Sequence, residues 1–185
     1  GGPHHQCVNM YEAERSRLVN GLRDNGYVTD ERVLAAMEKV PRHEFIPAEL
    51  RDQAYADSPL PIGMGQTISA PHMVGIMMQA LELRPGHKVL EIGAGSGYHA
   101  ALMGEMVRPG GMVYTVERLE PLGAKAAEAI ERLHYDDVVK VIVADGSSGL
   151  AEHAPYDRIT VAAAAPGVPR PLEEQLADGG QLLLQ

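Results

Sequence analysis

Apolar and polar positions follow two different rhythms along these 185 residues. Up to about residue 86 the apolar side chains recur at helical spacing. NMYEAERSRLVNGLRDNG puts Met10, Leu18, Val19 and Leu22 on one face and stops at Asn25-Gly26. TDERVLAAMEKV predicts a second helix, with Thr29 as its cap, Asp30 and Glu31 in the first turn and Pro41 past its end. A short helical turn is expected after Pro47, and SAPHMVGIMMQALEL predicts a mostly buried helix in which Met73, Met77 and Met78 are core. Between these lies DSPLPIGMGQTISAPHM, Asp57 to Met73, which keeps neither period. Its prolines and glycines predict rigid, irregular backbone.

From His87 the rhythm becomes strand, glycine turn, helix, repeated. HKVLEIG, GMVYTVE, VVKVIVADG, YDRITVAAAA and QLLLQ read as strands. GYHAALMGEMV, with Ala101, Leu102 and Met106 inward, EPLGAKAAEAIERLH, and PRPLEEQLADGG with its glycine stop read as helices. The class is therefore α/β: a mostly parallel, doubly wound sheet with helices on both faces, preceded by N-terminal helices. Residues 10–185 are expected to form one domain, with helices and an irregular loop over 10–86 and an α/β core over 87–185. GGPHHQ is set aside within a flexible leader, residues 1–9.

Composition narrows the function. Hydrophobic residues make up 45% of the chain but aromatic ones only 4%, so the core is aliphatic. A formal charge of -9 argues against a broad grip on nucleic acid or on an anionic membrane. Cys7 stands alone, which excludes an internal disulfide and fits a reducing compartment. No apolar run is long enough for a membrane span, so a cytoplasmic protein is expected. No His, Cys and carboxylate set has zinc spacing, so no metal is expected.

LEIGAGSGY places Gly93, Gly95 and Gly97 straight after a strand and at the mouth of a helix, where glycine lets backbone N–H groups approach a ligand. The dinucleotide fingerprint G-x-G-x-x-G would need glycine where Tyr98 stands. Glu91 precedes the loop, Glu117 closes the second strand and Asp145-Gly146 closes the third. Glu117 is placed for two ribose hydroxyls and Asp145 for an adenine amine. Acidic groups at three strand ends suit a nucleoside cofactor that carries positive charge and no phosphate, as S-adenosylmethionine does. Any one of these carboxylates taken alone is an ordinary strand-end group.

DSPLPIGMGQTISAPHM, VLEIGAGSGYHAALM, VYTVER, VADGSSG, YDRITVAAAAPGVP and LADGGQLLL, together with VPRHEFIP, resemble the protein-L-isoaspartate (D-aspartate) O-methyltransferase family from about Met10 to the end. The resemblance implies a Rossmann-like methyltransferase fold that binds S-adenosyl-L-methionine. It also implies methyl transfer to the α-carboxylate of L-isoaspartyl and D-aspartyl residues in damaged proteins and peptides. Gly93, Ala94, Gly95 and Gly97 then fall in the cofactor loop with Glu91, while Glu117 and Arg118 lie at the ribose and Asp145 and Gly146 at the adenine. Thr67, Ile68, Ser69 and His72 fall on the acceptor side, with Ser69 the catalytic candidate. Met64 departs from the family's usual residue, on the outer surface of the loop. The family continues with further strands past the last residue here, so the chain is expected to lack them. It is expected to act as a monomer.

A carboxylate acceptor is already ionised at pH 7, its ordinary pKa being about 4, so no general base is needed. Alignment and exclusion of water carry the chemistry, and a rigid Pro/Gly segment leading into a helix N-terminus suits both. Ser69 reads equally as an alignment contact or as a plain N-cap. His99 reads as a packing residue. Two other functions stay open: a carboxyl methyltransferase with another peptide carboxylate as acceptor, and a cofactor-binding module without catalysis.

Overall fold

The structure is a computed structural model and describes residues 3–162 and 171–185, with side chains from Met10 onward. Helix α1 spans Pro3–Asp24 and so begins inside the segment expected to be a leader. Val19 and Leu22 are buried as the pattern predicts, but Met10 is 61% exposed because its turn lies beyond the core. Helix α2 spans Glu31–Lys39, and its cap is Asp30, not Thr29. Asp30 Oδ1 accepts from the Arg32 N–H at 2.9 Å, while the Thr29 N–H donates to Gln79 Oε1 on a later helix. Two 3-10 turns follow, Arg42–Phe45 and Ala48–Gln53.

The segment expected to be irregular is a β-hairpin. Strands β1 (Leu60–Gly63) and β2 (Gln66–Ile68) pair antiparallel around a two-residue turn, Met64-Gly65. Both turn residues have positive φ, 53° and 70°, which is the twist a tight hairpin demands. The register slips between Pro61 and Gly63, so Ile62 sits at a bulge with its side chain buried. Helix α3 (Pro71–Leu81) follows, with proline in its first turn, where no N–H is needed.

Strands β3 (Lys88–Ile92), β4 (Met112–Glu117), β5 (Val139–Val143), β6 (Tyr156–Val161) and β7 (Leu176–Leu184) form one sheet in the order β5-β4-β3-β6-β7. Every pairing is parallel. Helices α4 (Tyr98–Val107) and α5 (Glu120–Arg132) make the first two crossovers. The expected helix over PRPLEEQLADGG is cut to α6, Pro171–Glu174, and Leu176 to Gly180 belong to β7 instead. The register jumps there, from Tyr156↔Leu176 to Arg158↔Gln181. A Cβ on Gly180 would lie about 3 Å from the carbonyls of Ala177, Tyr156 and Asp157, so this entrance is backbone packed on backbone. The end of the expected fourth strand, 163–165, and the start of that helix, 169–170, lie outside the described residues.

Alternation along the strands sorts the core into two layers. Val89, Val113 and Val139 face α4 and α5 and join the large cluster built with α1, α2 and α3. Leu90, Ile92, Tyr114, Val116, Ile159 and Val161 face the other way and are covered by Tyr156, Leu172 and the 3-10 turn Ala151–His153, whose His153 stacks on Tyr114 at 4.1 Å. Among the described residues the second layer is thin. The described helices do not cover both faces equally. No described helix is long and apolar enough to cross a membrane. The chain leaves β3 toward β4 and later returns on its other side as β6, so a crevice opens above the carboxyl ends of β3 and β6.

Candidate cofactor and acceptor cleft

That crevice holds a cleft of about 400 Å³. One wall is the sheet. The loop after β3 is pinned when the Gly93 N–H donates to the Val116 carbonyl at 2.7 Å. Gly93 has φ 94°, and a Cβ there would come within 2.8 Å of Ala162 Cβ on the returning strand. Gly97, at φ 91°, is the N-cap of α4 and lies against Ala126. Tyr98, at the position a dinucleotide loop keeps for glycine, is buried and packs on Phe45. Gly93, Ala94, Gly95 and Ser96 all line the cleft.

The three acidic residues separate into different roles. Glu117 lines the cleft and is 6% exposed. Its Oε1 accepts from the Gly95 N–H and its Oε2 from the Leu119 N–H, both at 3.0 Å, so two backbone donors fix the carboxylate and tie it to the glycine loop. Each oxygen keeps lone-pair capacity for a ligand. Asp145 lies at the same end with Gly146, its Oδ1 accepting from the Ser147 N–H at 2.9 Å. A Cβ on Gly146 would meet Ile92 at 2.8 Å, so only glycine lets this turn close over the strand ends. Glu91 does not line the cleft. It is buried behind the loop, where its Oε1 accepts from the Thr115 hydroxyl at 2.7 Å. Burial raises its pKa to about 8; the Thr115 hydrogen bond opposes the shift and the charge of Glu117 adds to it.

The other wall is the hairpin and α3. Thr67, Ile68 and Ser69 line the cleft, and the bulged Ile62 meets the glycine loop from outside, its Cδ1 3.7 Å from where a Gly95 Cβ would be. Ser69 is not the cap of α3. That position belongs to Ala70, which makes no side-chain cap bond. The helix end is served from a distance, Asp57 Oδ1 accepting from the His72 N–H and meeting His72 Nδ1, both at 2.9 Å. His72 is thus held by Asp57 and does not line the cleft. Asp57 also holds a free amide of the helix N-terminus proposed from the sequence as an acceptor-carboxylate site.

The wall is anchored by Arg42, which is fully buried. Its guanidinium donates to the carbonyls of Ala54 (2.8 Å), Ser69 (3.1 Å) and Ser58 (3.4 Å) and lies 5.4 Å from the Tyr98 ring centroid. Met73 and Met77, expected in the core, line the cleft, and only Met78 is buried. Helical spacing could not separate a methionine facing a core from one facing a cavity. Sequence reading also missed Ser96, Leu119, Ser147, Ala162 and Gln185 on the lining. Gln185 follows β7 and donates to Thr160 Oγ1 at 2.9 Å, a placement that only the strand order reveals.

His99, read from the sequence as packing, lines the cleft from the first turn of α4. Its Nδ1 stands 3.9 Å from Glu91 Oε2, and its Nε2 is screened from solvent without a hydrogen-bond partner among the described residues. Such an orphan costs about 1–3 kcal/mol. Burial and the nearby Arg42 charge lower the ring's pKa to about 4, so it is neutral at pH 7.

A parallel five-stranded sheet with a glycine loop and carboxylates at its strand ends defines a Rossmann-like methyltransferase fold. The family model for protein-L-isoaspartate (D-aspartate) O-methyltransferase matches residues 13–185, and the chain belongs to that family. The protein-L-isoaspartate O-methyltransferase of Methanopyrus kandleri is 57% identical over 95% of this chain and 77% of its own length. A solved protein-L-isoaspartate O-methyltransferase superposes with a TM-score of 0.80 at 32% identity over 91% of this chain; the match spans about half of that longer chain, 54%. A putative protein-L-isoaspartate O-methyltransferase from Plasmodium falciparum, solved with S-adenosyl-L-homocysteine, superposes with a TM-score of 0.79 at 30% identity over 91% of this chain and 82% of its own.

Proposed function

We propose that this chain is a repair methyltransferase, moving a methyl group from S-adenosylmethionine to the α-carboxylate of L-isoaspartyl and D-aspartyl residues in damaged proteins and peptides. The observation that carries the reading is the meeting of two walls in one cleft, the glycine loop with Glu117 opposite the Gln-Thr-Ile-Ser hairpin. The relatives' shared activity supports it.

The residues present fit the cofactor. Gly93 and Gly146 let the two loops close tightly over the strand ends, where a Cβ would strike Ala162 or Ile92, and Glu117 offers a carboxylate fixed by two backbone amides, which we assign to the ribose. Among the described residues the only lysine or arginine on the lining is Arg118, which suits a cationic ligand better than a pyrophosphate. Gly93, Ala94, Gly95, Glu117, Arg118, Asp145 and Gly146 hold the cofactor in this assignment, while Gly97, packed on Ala126 and off the lining, turns the loop into α4. Glu91 supports the loop from behind. When bound, S-adenosylmethionine supplies an electrophilic methyl group on a positively charged sulfur. The chain's own part is alignment: Thr67, Ile68 and Ser69 face the acceptor, and Arg42 fixes that wall through the Ser69 carbonyl. No residue has to remove a proton, because the acceptor carboxylate is ionised. Holding the reactants in line and dry can supply up to about 7–11 kcal/mol of the barrier.

We also assign the protein to the cytoplasm as a monomer that binds neither nucleic acid nor membrane, in keeping with its single cysteine and net charge of -9. The deciding experiment is transfer of labelled methyl to an isoaspartyl peptide and to its ordinary aspartyl counterpart. Label on the isoaspartyl peptide alone is expected. Label on neither, or on both alike, would replace this reading with a binding module or with another carboxylate acceptor.

A further inference from the structure

Alignment by the two walls gives the buried His99 ring no task. The His99 side chain is 14% exposed, lines the cleft, and has an Nε2 without a partner among the described residues, on the far side of the ring from Glu91. Buried polar atoms in native proteins are paired, and one that is not calls for a ligand, a water or a catalytic reason. We infer that His99 is a positioning residue for methyl transfer: a shift of its ring brings Nε2, here screened from solvent, to the cleft surface, where its N–H donates a hydrogen bond to a carboxylate oxygen of a reactant, and Glu91 decides which ring nitrogen carries the proton. The inference rests on the methyltransferase reading above.

Proton accounting makes the ring a donor. The neutral imidazole has one N–H. Glu91 is protonated at pH 7 because burial holds its pKa at about 8, and its Oε1 already accepts from Thr115. Its acid proton is left for Oε2, which stands 3.9 Å from Nδ1, outside hydrogen-bond range here, so the shift that exposes Nε2 must also close this gap. Nδ1 is then the acceptor, and the ring proton sits on Nε2. Of the charges nearest the ring, Arg42 is committed to three carbonyls and Glu117 to the amides of Gly95 and Leu119, while Arg118 and Asp145 share the cleft lining with His99. A neutral donor in the cleft matches a carboxylate, and both reactants carry one: the amino-acid end of the cofactor and the isoaspartyl group.

The arrangement is sensitive to alkali. As pH rises through about 8, Glu91 ionises and its carboxylate draws an N–H to Nδ1. The ring proton leaves Nε2, which then turns a lone pair toward the ligand carboxylate.

Calorimetry with S-adenosylhomocysteine and steady-state kinetics on an isoaspartyl peptide, both between pH 6 and 9.5, test this in wild type, His99→Leu, His99→Gln and Glu91→Gln, with folding checked by melting. His99→Leu is expected to lose about ten- to a hundredfold, the range for a hydrogen bond to a charged group. The loss falls in Kd for S-adenosylhomocysteine if the carboxylate is the cofactor's, or in KM for the peptide if it is the acceptor's. His99→Gln, whose amide N–H reaches the same region, should recover most of it. The affected constant should weaken above pH 8 in wild type and stay level in Glu91→Gln, whose amide keeps donating to Nδ1. Wild-type Kd and KM in folded His99→Leu overturn the inference and leave Nε2 to a buried water. So does equal loss in the Leu and Gln variants without an alkaline decline in wild type. Should His99→Leu not fold, the Gln variant and the pH series decide. Wild type that binds S-adenosylhomocysteine but methylates no isoaspartyl peptide sinks the proposed function, and the calorimetric arm still judges His99.

Discussion

The sheet wall of the cleft is held by neighbours in sequence or in register, whereas the hairpin wall hangs on a guanidinium twenty-seven residues before the serine it positions. On the sheet side, β3 and β4 pair in parallel from Lys88↔Met112 to Ile92↔Val116, and the loop after β3 is bonded straight to β4. Glu117 and the Gly95 amide then fix one another. On the hairpin side, Arg42 collects carbonyls from three segments that share no strand. A wall built from local geometry is rigid by default, while one built on a single buried cation fails as a unit.

Removing the cation is therefore the strongest way to break the contrast. Arg42→Ala leaves three carbonyls without their donor and a hole beside Tyr98. Hydrogen bonds to a charged group are worth about 1.5–3 kcal/mol each, so a loss on the order of 4 kcal/mol in urea unfolding is expected. Arg42→Lys should recover little, since one ammonium cannot reproduce the planar fork. Unfolding unchanged to within 1 kcal/mol in Arg42→Ala would mean that the hairpin is held by its own strands.

The sheet wall should break differently. Glu117→Ala removes a partner of the Gly95 and Leu119 amides and the proposed ribose contact, so S-adenosylhomocysteine binding should weaken by about 1.5–3 kcal/mol. Unaltered affinity in folded protein would reduce Glu117 to a brace for the loop.

These two walls also explain what could be read from the sequence. The glycines, the strand-end carboxylates and the βαβ rhythm are local signals, and the structure places Gly93, Gly95, Glu117, Asp145 and Gly146 in one cleft. Arg42 gives no such signal, because a fully buried arginine is rare and nothing in VPRHEFIP marks it as core. Asp57 serves α3 across fifteen residues, and the cap reading of Ser69, one of two the sequence left open, falls to Ala70. The short α6 followed from the same blindness: LADGG reads as a helix stop, yet β6 captures it as the bulged start of β7.

Ser69→Ala sharpens the comparison with a smaller effect. Because Ala70 is the cap, the substitution removes no helix-capping side chain, and stability should change by less than about 0.5 kcal/mol. If the hydroxyl aligns the acceptor, kcat on the isoaspartyl peptide should fall about tenfold, equivalent to roughly 1.4 kcal/mol of barrier, with cofactor affinity retained. Full turnover in the variant would assign alignment to the backbone of the hairpin alone.

The smallest expected effect tests whether the hairpin wall has any local determinant at all. Its turn needs positive φ at two successive residues, and the second is glycine, which pays no steric cost there. The first is Met64 at φ 53°, 52% exposed, a side chain that the left-handed region disfavours. Asparagine tolerates this conformation and, followed by glycine, makes the preferred two-residue turn. Proline on either side and methionine in place of asparagine are what hid the hairpin from sequence reading. Met64→Asn should thus stabilise the fold by about 0.5–1 kcal/mol, a rise of roughly 1–4 °C in Tm for a chain of this size. If Met64 does nothing else, methyl transfer stays at the wild-type rate. A raised KM for the isoaspartyl peptide in the stabilised variant would show that the methionine touches the acceptor and that local strain is retained for it. No gain in Tm would mean that Arg42 sets the hairpin so firmly that its own turn contributes nothing.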